Sequence, residues 1–67
     1  AHFKEEAAVP ELIDVLKKDE RPVIRGTAAW ALGKIGGMEA KQALQSAMKR
    51  ETDAEVLEEI QKGLALL

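Results

Sequence analysis

The sequence predicts an all-α fold, an α-solenoid in which four helices form two helical hairpins in a right-handed stack. Two observations carry this prediction. Residues 22–36 fit a helix with apolar or small residues on two faces, and the apolar pattern of the chain recurs after 32 residues. A helix that is apolar on two sides is buried on two sides. A period in the thirties with two helices per unit is typical of stacked helical repeats.

The first predicted helix covers residues 8–18. Pro10 falls in its first turn, where a missing N–H costs little. The predicted inward positions are Val9, Leu12, Ile13 and Leu16. Residues 1–7 fit the tail of a preceding repeat, because Phe3 aligns with Ile35 at the 32-residue offset. The chain, which does not begin with Met, is therefore expected to be a piece of a longer protein.

The second predicted helix covers residues 22–35. Pro22 suits its first turn, and Gly36 with Gly37 predicts a left-handed stop. Its first apolar stripe consists of Ile24, Ala28, Ala31, Leu32 and Ile35. Its second face carries Val23, Gly26, Trp30 and Gly33. Small residues let another helix approach closely, and we expect that helix to belong to an upstream repeat.

Residues 38–67 form the second predicted hairpin, after a first repeat at residues 8–37. The third helix is expected over residues 38–50, and Thr52 to Glu55 fits a capping box that begins the fourth. The predicted inward positions are Ala40, Ala43, Leu44, Ala47, Met48, Val56, Leu57, Ile60 and Leu64.

The composition excludes several classes of site. The chain has no cysteine, which rules out disulfides and thiolate metal sites within it. No run approaches the roughly 18 apolar residues of a membrane span, so no membrane partner is expected. The net charge of −2 gives no general attraction to nucleic acid. Nucleic-acid binding would therefore need a local basic patch.

The pattern resembles HEAT-like repeats of the type known from phycobilin lyases. The segments that carry the resemblance are AVPELI at residues 8–13, VIR at 23–25 and AAWALGKIG at 28–36. The second unit departs from this pattern. Leu57, Glu58 and Lys62 stand where the first unit has Arg25, Gly26 and Trp30. It resembles a degenerate terminal repeat, as a cap would.

Within that class, DERPVIRGTAAWALG at residues 19–33 resembles the C-terminal region of epoxyqueuosine reductases. The resemblance implies a cytoplasmic parent oxidoreductase with 4Fe-4S clusters and cobalamin, acting on a modified base in the tRNA anticodon region. It also implies contact with an upstream repeat or catalytic domain of the same chain. None of the family's cluster cysteines or catalytic residues falls in this chain. We therefore expect no catalytic, cofactor or metal residue here and no enzymatic activity from this segment alone.

Basic residues gather at the two predicted hairpin turns. The candidate phosphate ligands are Lys17, Lys18, Arg21, Arg25, Lys49 and Arg50. Stacked repeats would align these turns into one basic ridge that suits a phosphate backbone. Alternatively, cations in the last turn of a helix complement its dipole. Arg25 has a further alternative, an ion pair with Asp19 or with an acid of the adjacent repeat.

The remaining candidates favour structural roles. Trp30 has no second aromatic beside it for base stacking, and packing against an upstream repeat is favoured. His2 lacks partner ligands nearby in sequence, and Thr27 and Ser46 lack a His–Asp context. Glu55, Glu58 and Glu59 fit a solvated helix face. Two hypotheses remain: a tRNA-docking module of the oxidoreductase, or a protein-interaction scaffold or lyase subunit that binds a partner through its inner helices.

Overall fold

Four α-helices make up the chain in the computed structural model, which describes the backbone of residues 4–67 and the side chains of residues 8–67. They are α1 (Lys4–Lys18), α2 (Pro22–Ile35), α3 (Met38–Arg50) and α4 (Ala54–Ala65). No strand occurs within residues 4–67. The all-α prediction with two helical hairpins is confirmed, and the bounds of α2 and α3 are those predicted. None of the helices between residues 4 and 67 is long and apolar enough to cross a membrane.

Helix α1 begins four residues earlier than predicted, at Lys4, so Pro10 lies inside it and not in its first turn. The residues before Pro10 are mostly Ala and Glu, which are strong helix formers. They extend the helix although an interior proline removes one hydrogen bond. The alignment of Phe3 with a preceding repeat falls outside the described residues. The division into repeats at residues 8–37 and 38–67 stays a prediction.

Helix α2 lies at the centre of the fold and contacts the other three helices, most extensively α4. The core joins residues from all four helices. Its buried members are Val9, Leu16, Ala28, Ala29, Leu32, Ala40, Leu44, Ala47, Val56 and Ile60. Most lie at predicted inward positions. The pattern missed Ala29, which is completely buried.

Glycine allows α2 and α4 to approach until their backbones touch. A Cβ atom built on Gly33 would collide with the Cα of Gly63 and lie 2.9 Å from its carbonyl oxygen. A Cβ on Gly63 would lie 3.0 Å from the carbonyl oxygen of Ala29. At Gly33, α2 therefore packs directly on α4, and the expectation that this glycine admits an upstream repeat was wrong. Trp30 on the same face is 47% exposed, and its packing against an upstream repeat stays a prediction.

The turn between the two hairpins and the start of α4 differ in detail from the prediction. Gly36 and Gly37 have positive φ of 78° and 92°, as a glycine stop requires, but their ψ of −164° and 164° is not that of the left-handed helix. At α4, Asp53 is the N-cap and its Oδ1 accepts from the backbone N–H groups of Glu55 and Val56 at 2.9 and 3.1 Å. The predicted capping box starting at Thr52 was therefore wrong by one residue.

Gly33→Ala should destabilise the fold, because the new methyl group would force α2 away from α4. Overpacking of this kind costs about 1–3 kcal/mol, against a gain of about 1 kcal/mol in helix propensity. Gly26→Ala is the matched control, since its methyl group would meet only the flexible Glu59 side chain at 3.4 Å. Urea unfolding followed by circular dichroism should show a lower midpoint for Gly33→Ala alone. Equal midpoints would contradict the close helix contact.

Asp53→Ala should lower the free energy of unfolding by about 1 kcal/mol, because it leaves two backbone N–H groups of α4 without their side-chain acceptor. Thr52→Ala should change it little, since the Thr52 side chain caps no helix here. The same urea titration measures both variants. A larger loss of unfolding free energy in Thr52→Ala than in Asp53→Ala would instead support the capping box that begins at Thr52.

Candidate nucleic-acid interface

The structure brings the two basic turns side by side. Lys17 and Lys18 end α1, Lys49 and Arg50 end α3, and all four side chains are exposed. Lys17 and Arg50 line one cavity of about 230 Å³. Lys18 and Lys49 lie on the same two turns but do not line it. Cations 32 to 33 positions apart in sequence are therefore neighbours in space.

The cavity lies between the ends of the two hairpins. Its lining residues are Leu16, Lys17, Asp19, Arg25, Ala47, Arg50, Glu51 and Thr52. Every lining residue comes from α1, α3, the loops that follow them, or the first two turns of α2. The site is thus built from both repeats and depends on how the repeats are aligned.

Arg25 is held by a network of hydrogen bonds and is mostly buried. Its Nε and Nη2 donate to the Oε1 and Oε2 of Glu51 at 2.9 and 3.0 Å, and its Nη1 donates to the carbonyl oxygen of Asp19 at 2.8 Å. The side chains of Arg25 and Glu51 are only 17% and 7% exposed. Arg25 was interpreted either as a phosphate ligand or as a member of an ion pair. In the structure it forms an ion pair with Glu51, an acid of the adjacent repeat.

Glu51 joins this pair to the start of α4. Its Oε2 also accepts from the backbone N–H groups of Thr52 and Asp53 at 3.1 and 3.0 Å. The hydrogen bonds from Arg25 lower the pKa of Glu51 below its ordinary value of 4.5, although burial acts in the opposite direction. Glu51 was not among the residues predicted from the sequence. The available signal was its alignment with Asp19 at the 32-residue offset, which places an acid directly after α1 and directly after α3.

Arg21 makes a local pair with Asp19. Its Nε and Nη2 donate to Oδ1 and Oδ2 at 3.0 and 2.8 Å, and its backbone N–H donates to Oδ1 at 2.9 Å. These hydrogen bonds lower the pKa of Asp19 from 3.8 to about 2. The Arg21 side chain is 72% exposed, so solvent reaches it, but its charge is already compensated. It is a weaker candidate for a phosphate than the lysines beside it.

Four predicted cations make no ion pair within residues 8–67, namely Lys17, Lys18, Lys49 and Arg50. Each sits in the last turn of a helix, where a positive charge is also favoured by the helix dipole. Their placement therefore fits both a complement to the helix dipoles and a contact with phosphates. The surface edge formed by the ends of α1 and α3 carries all four cations, as contact with a phosphate backbone would need.

The other candidates lie away from this edge. Trp30 is 47% exposed, with the Nζ of Lys34 5.2 Å from its ring centre. Lys62 pairs with Glu58 and Glu59 at 3.4 and 3.6 Å. The Thr27 hydroxyl donates to the carbonyl oxygen of Val23. His2 lies outside the described residues, and those residues contain no group of three or more side chains suited to a metal ion.

A family model described as HEAT repeats matches residues 1–65. The chain belongs to the HEAT-repeat family. It is also 63% identical over all 67 residues to an epoxyqueuosine reductase of Bacillus cereus and 54% identical to that of Bacillus subtilis. The resemblance of this HEAT-repeat chain to epoxyqueuosine reductases is thereby confirmed. The chain spans 18% and 17% of the length of these two relatives.

The fold of the HEAT-repeat chain matches solved structures of the same enzyme. One is a crystal structure of epoxyqueuosine reductase with a tRNA-Tyr epoxyqueuosine-modified stem loop. The TM-score is 0.90 at 53% sequence identity, over 98% of this chain and 18% of that one. A structure of the Bacillus subtilis enzyme matches with a TM-score of 0.89 over the same shares.

The Arg25–Glu51 pair should make stability depend on pH. Because the folded pKa of Glu51 lies below its ordinary value, the pair stabilises fully above about pH 4.5 and loses its effect as pH falls through the folded pKa. Glu51→Gln should therefore unfold at lower urea than wild type at neutral pH and lose less stability in acid. The lowered pKa of Asp19 also makes stability fall in acid, and it does so in both the wild type and Glu51→Gln.

Glu11→Gln is the control for this experiment, because it removes an exposed carboxylate on α1 outside the network. Its urea midpoints from about pH 7 to pH 2 should follow those of wild type. A Glu51→Gln variant with the wild-type pH profile would show that the ion pair adds nothing to stability.

Proposed function

We propose that this chain is a tRNA-docking module of an epoxyqueuosine reductase-like oxidoreductase of queuosine tRNA modification, and that it holds RNA by its phosphates. The observation that carries the proposal is the cavity that Lys17 and Arg50 line together from two repeats. The similarity to epoxyqueuosine reductases, one of them solved with a tRNA stem loop, supports RNA as the partner. The proposed parent is cytoplasmic, as the resemblance implies.

Chemistry would lie elsewhere in the parent protein. Iron–sulfur clusters are held by cysteine thiolates, and this chain has no cysteine. It offers no ligands for the 4Fe-4S clusters that the resemblance implies, and we assign it no residue for cobalamin. The proposed role of this segment, which we place at the C-terminal end of the parent, is to position the tRNA anticodon region for a catalytic domain of the same chain.

Phosphate contact fits this edge better than base recognition. The exposed side chains that recur at the repeat period are cationic, and no aromatic residue recurs with them. Phosphate contacts fix register and orientation, whereas base contacts specify sequence. Each cation that neutralises a phosphate releases counterions, which makes the affinity depend on salt.

The structure refines which residues we propose for this contact. Lys17, Lys18, Lys49 and Arg50 are the proposed phosphate ligands, with Arg21 in a secondary place because Asp19 holds it. Arg25 is assigned a different role. Its pair with Glu51 holds the two basic turns in alignment.

The proposal is tested in the full-length protein with Lys17, Lys18 and Arg50 changed to Gln. Binding to a tRNA anticodon stem loop, measured by fluorescence anisotropy over a range of KCl concentrations, should weaken by about tenfold or more at low salt. The slope of log affinity against log salt should fall by about one for each phosphate that the variant no longer neutralises.

The matched control changes Lys34, Lys41 and Lys62 to Gln, which removes the same formal charge from other exposed positions. It should leave affinity and salt slope nearly unchanged. If both triple variants bind RNA like the wild type, the basic turns only complement helix dipoles. The alternative, a protein-interaction scaffold or lyase subunit, would then be favoured.

A further inference from the structure

A second cavity of about 300 Å³ runs along the surface between α2 and α4, and the proposed RNA contact does not use it. Its lining residues are Pro22, Val23, Gly26, Thr27, Trp30, Glu55, Val56 and Glu59. None of these residues lines the cavity between the basic turns. We call it the α2–α4 groove. Gly26 keeps it open, because no side chain fills the space beside Glu59.

The α2 wall of the groove is apolar and unusually exposed. Val23 is 74% exposed and Trp30 is 47% exposed. Neighbouring apolar side chains left in water mark interaction sites more often than isolated ones do. Trp30 already has a cation at its ring, since the Nζ of Lys34 lies 5.2 Å from the ring centre. The ring is thus placed for cation–π contact.

The α4 wall of the groove is acidic. Glu55 is exposed and Glu59 is one-third exposed at its side chain. The ammonium of Lys62 is shared between Glu58 and Glu59, at 3.4 and 3.6 Å. Among the described residues that line the groove, Glu55 and Glu59 are the charged ones. The groove thus pairs an apolar wall with a negative one.

We propose that the α2–α4 groove binds an arginine-bearing amphipathic segment of a protein partner. The apolar stem of an arginine covers Val23 and Pro22, and its guanidinium lies against Trp30 and pairs with Glu55 and Glu59. Arginine suits this place because its planar guanidinium stacks on aromatic rings and pairs with carboxylates, while its methylene stem covers apolar surface. This inference goes beyond the proposed RNA contact.

The same charges disfavour RNA in the α2–α4 groove. A base stacked on Trp30 would bring its own phosphate close to Glu55 and Glu59, where like charges repel. The chain therefore presents two surfaces of opposite sign. The basic turns are proposed for RNA and the α2–α4 groove for a basic protein segment.

Trp30 is itself the reporter for the test, because it is the only tryptophan in the 67-residue chain. The probe is a synthetic helical peptide with leucine and arginine on one face, and the control peptide carries glutamate in place of arginine. We expect a saturable change in Trp30 emission with the arginine peptide alone, and weaker binding as salt is raised.

Variants locate the binding site. Glu55→Gln with Glu59→Gln should weaken the arginine peptide by about tenfold, and Val23→Lys should weaken it similarly through like-charge repulsion. Glu11→Gln with Glu39→Gln removes the same charge from exposed positions on α1 and α3 and should bind like the wild type. Far-ultraviolet circular dichroism confirms that each variant is folded.

Three results would overturn the proposal. The first is an arginine peptide that leaves Trp30 emission unchanged, or that binds the Glu55→Gln, Glu59→Gln variant as tightly as wild type. The second is a tRNA stem loop that shifts Trp30 emission in place of the peptide, which would assign the groove to RNA. The third is emission that changes with protein concentration alone, which would assign it to a second copy of the chain.

Discussion

The backbone contact between α2 and α4 is the constraint on which the rest of the structure depends. Gly33 and Gly63 let the two helices meet with no side chain between them, and a methyl group on Gly33 would not fit. This contact joins the two hairpins and closes the core around Leu32, Leu44 and Ile60. A larger separation would open the core and move the two basic turns apart.

The Arg25–Glu51 pair fixes how far α2 can slide along α4 at that contact. Packing of small residues tolerates some sliding of one helix along another, whereas a two-point hydrogen-bonded ion pair fixes position. The pair joins α2 to the residues just before α4, and Asp53 then caps α4 from the same loop. Mostly buried pairs of this kind contribute little net stability but are costly to break. Here the pair fixes the alignment that places Lys17 beside Arg50.

Charge is segregated over this small chain despite a net charge of only −2. The ends of α1 and α3 carry exposed cations, while α4 carries three carboxylates beside an apolar strip of α2. Net charge alone would not have suggested either surface. In the proposed parent protein, the basic turns would hold RNA while the α2–α4 groove holds a protein segment.

The sequence by itself determined the helices and most of the core. Apolar spacing, Pro22 and the Gly36–Gly37 pair specify α2 and α3 to the residue, because each signal acts within a few positions along the chain. Two local errors have local reasons. Ala and Glu extend α1 through Pro10. At α4, the Asp53 carboxylate accepts from the N–H groups of Glu55 and Val56, so Asp53 and not Thr52 is the N-cap.

Only the tertiary structure decided which helices and which side chains are in contact. Periodicity predicted a second buried face of α2, but not that α4 covers Gly33 on it and leaves Val23 and Trp30 exposed. Helical spacing carries no information about which neighbour fills a face. From the sequence, the partner of Arg25 could have been either an acid or a phosphate. In the fold, Arg25 pairs with Glu51, which lies 26 positions away. The sequence likewise placed Val23, Gly26 and Trp30 on one face of α2, but not in an open groove with Glu55 and Glu59. A groove is a space between two helices, and its shape is set by their distance and angle.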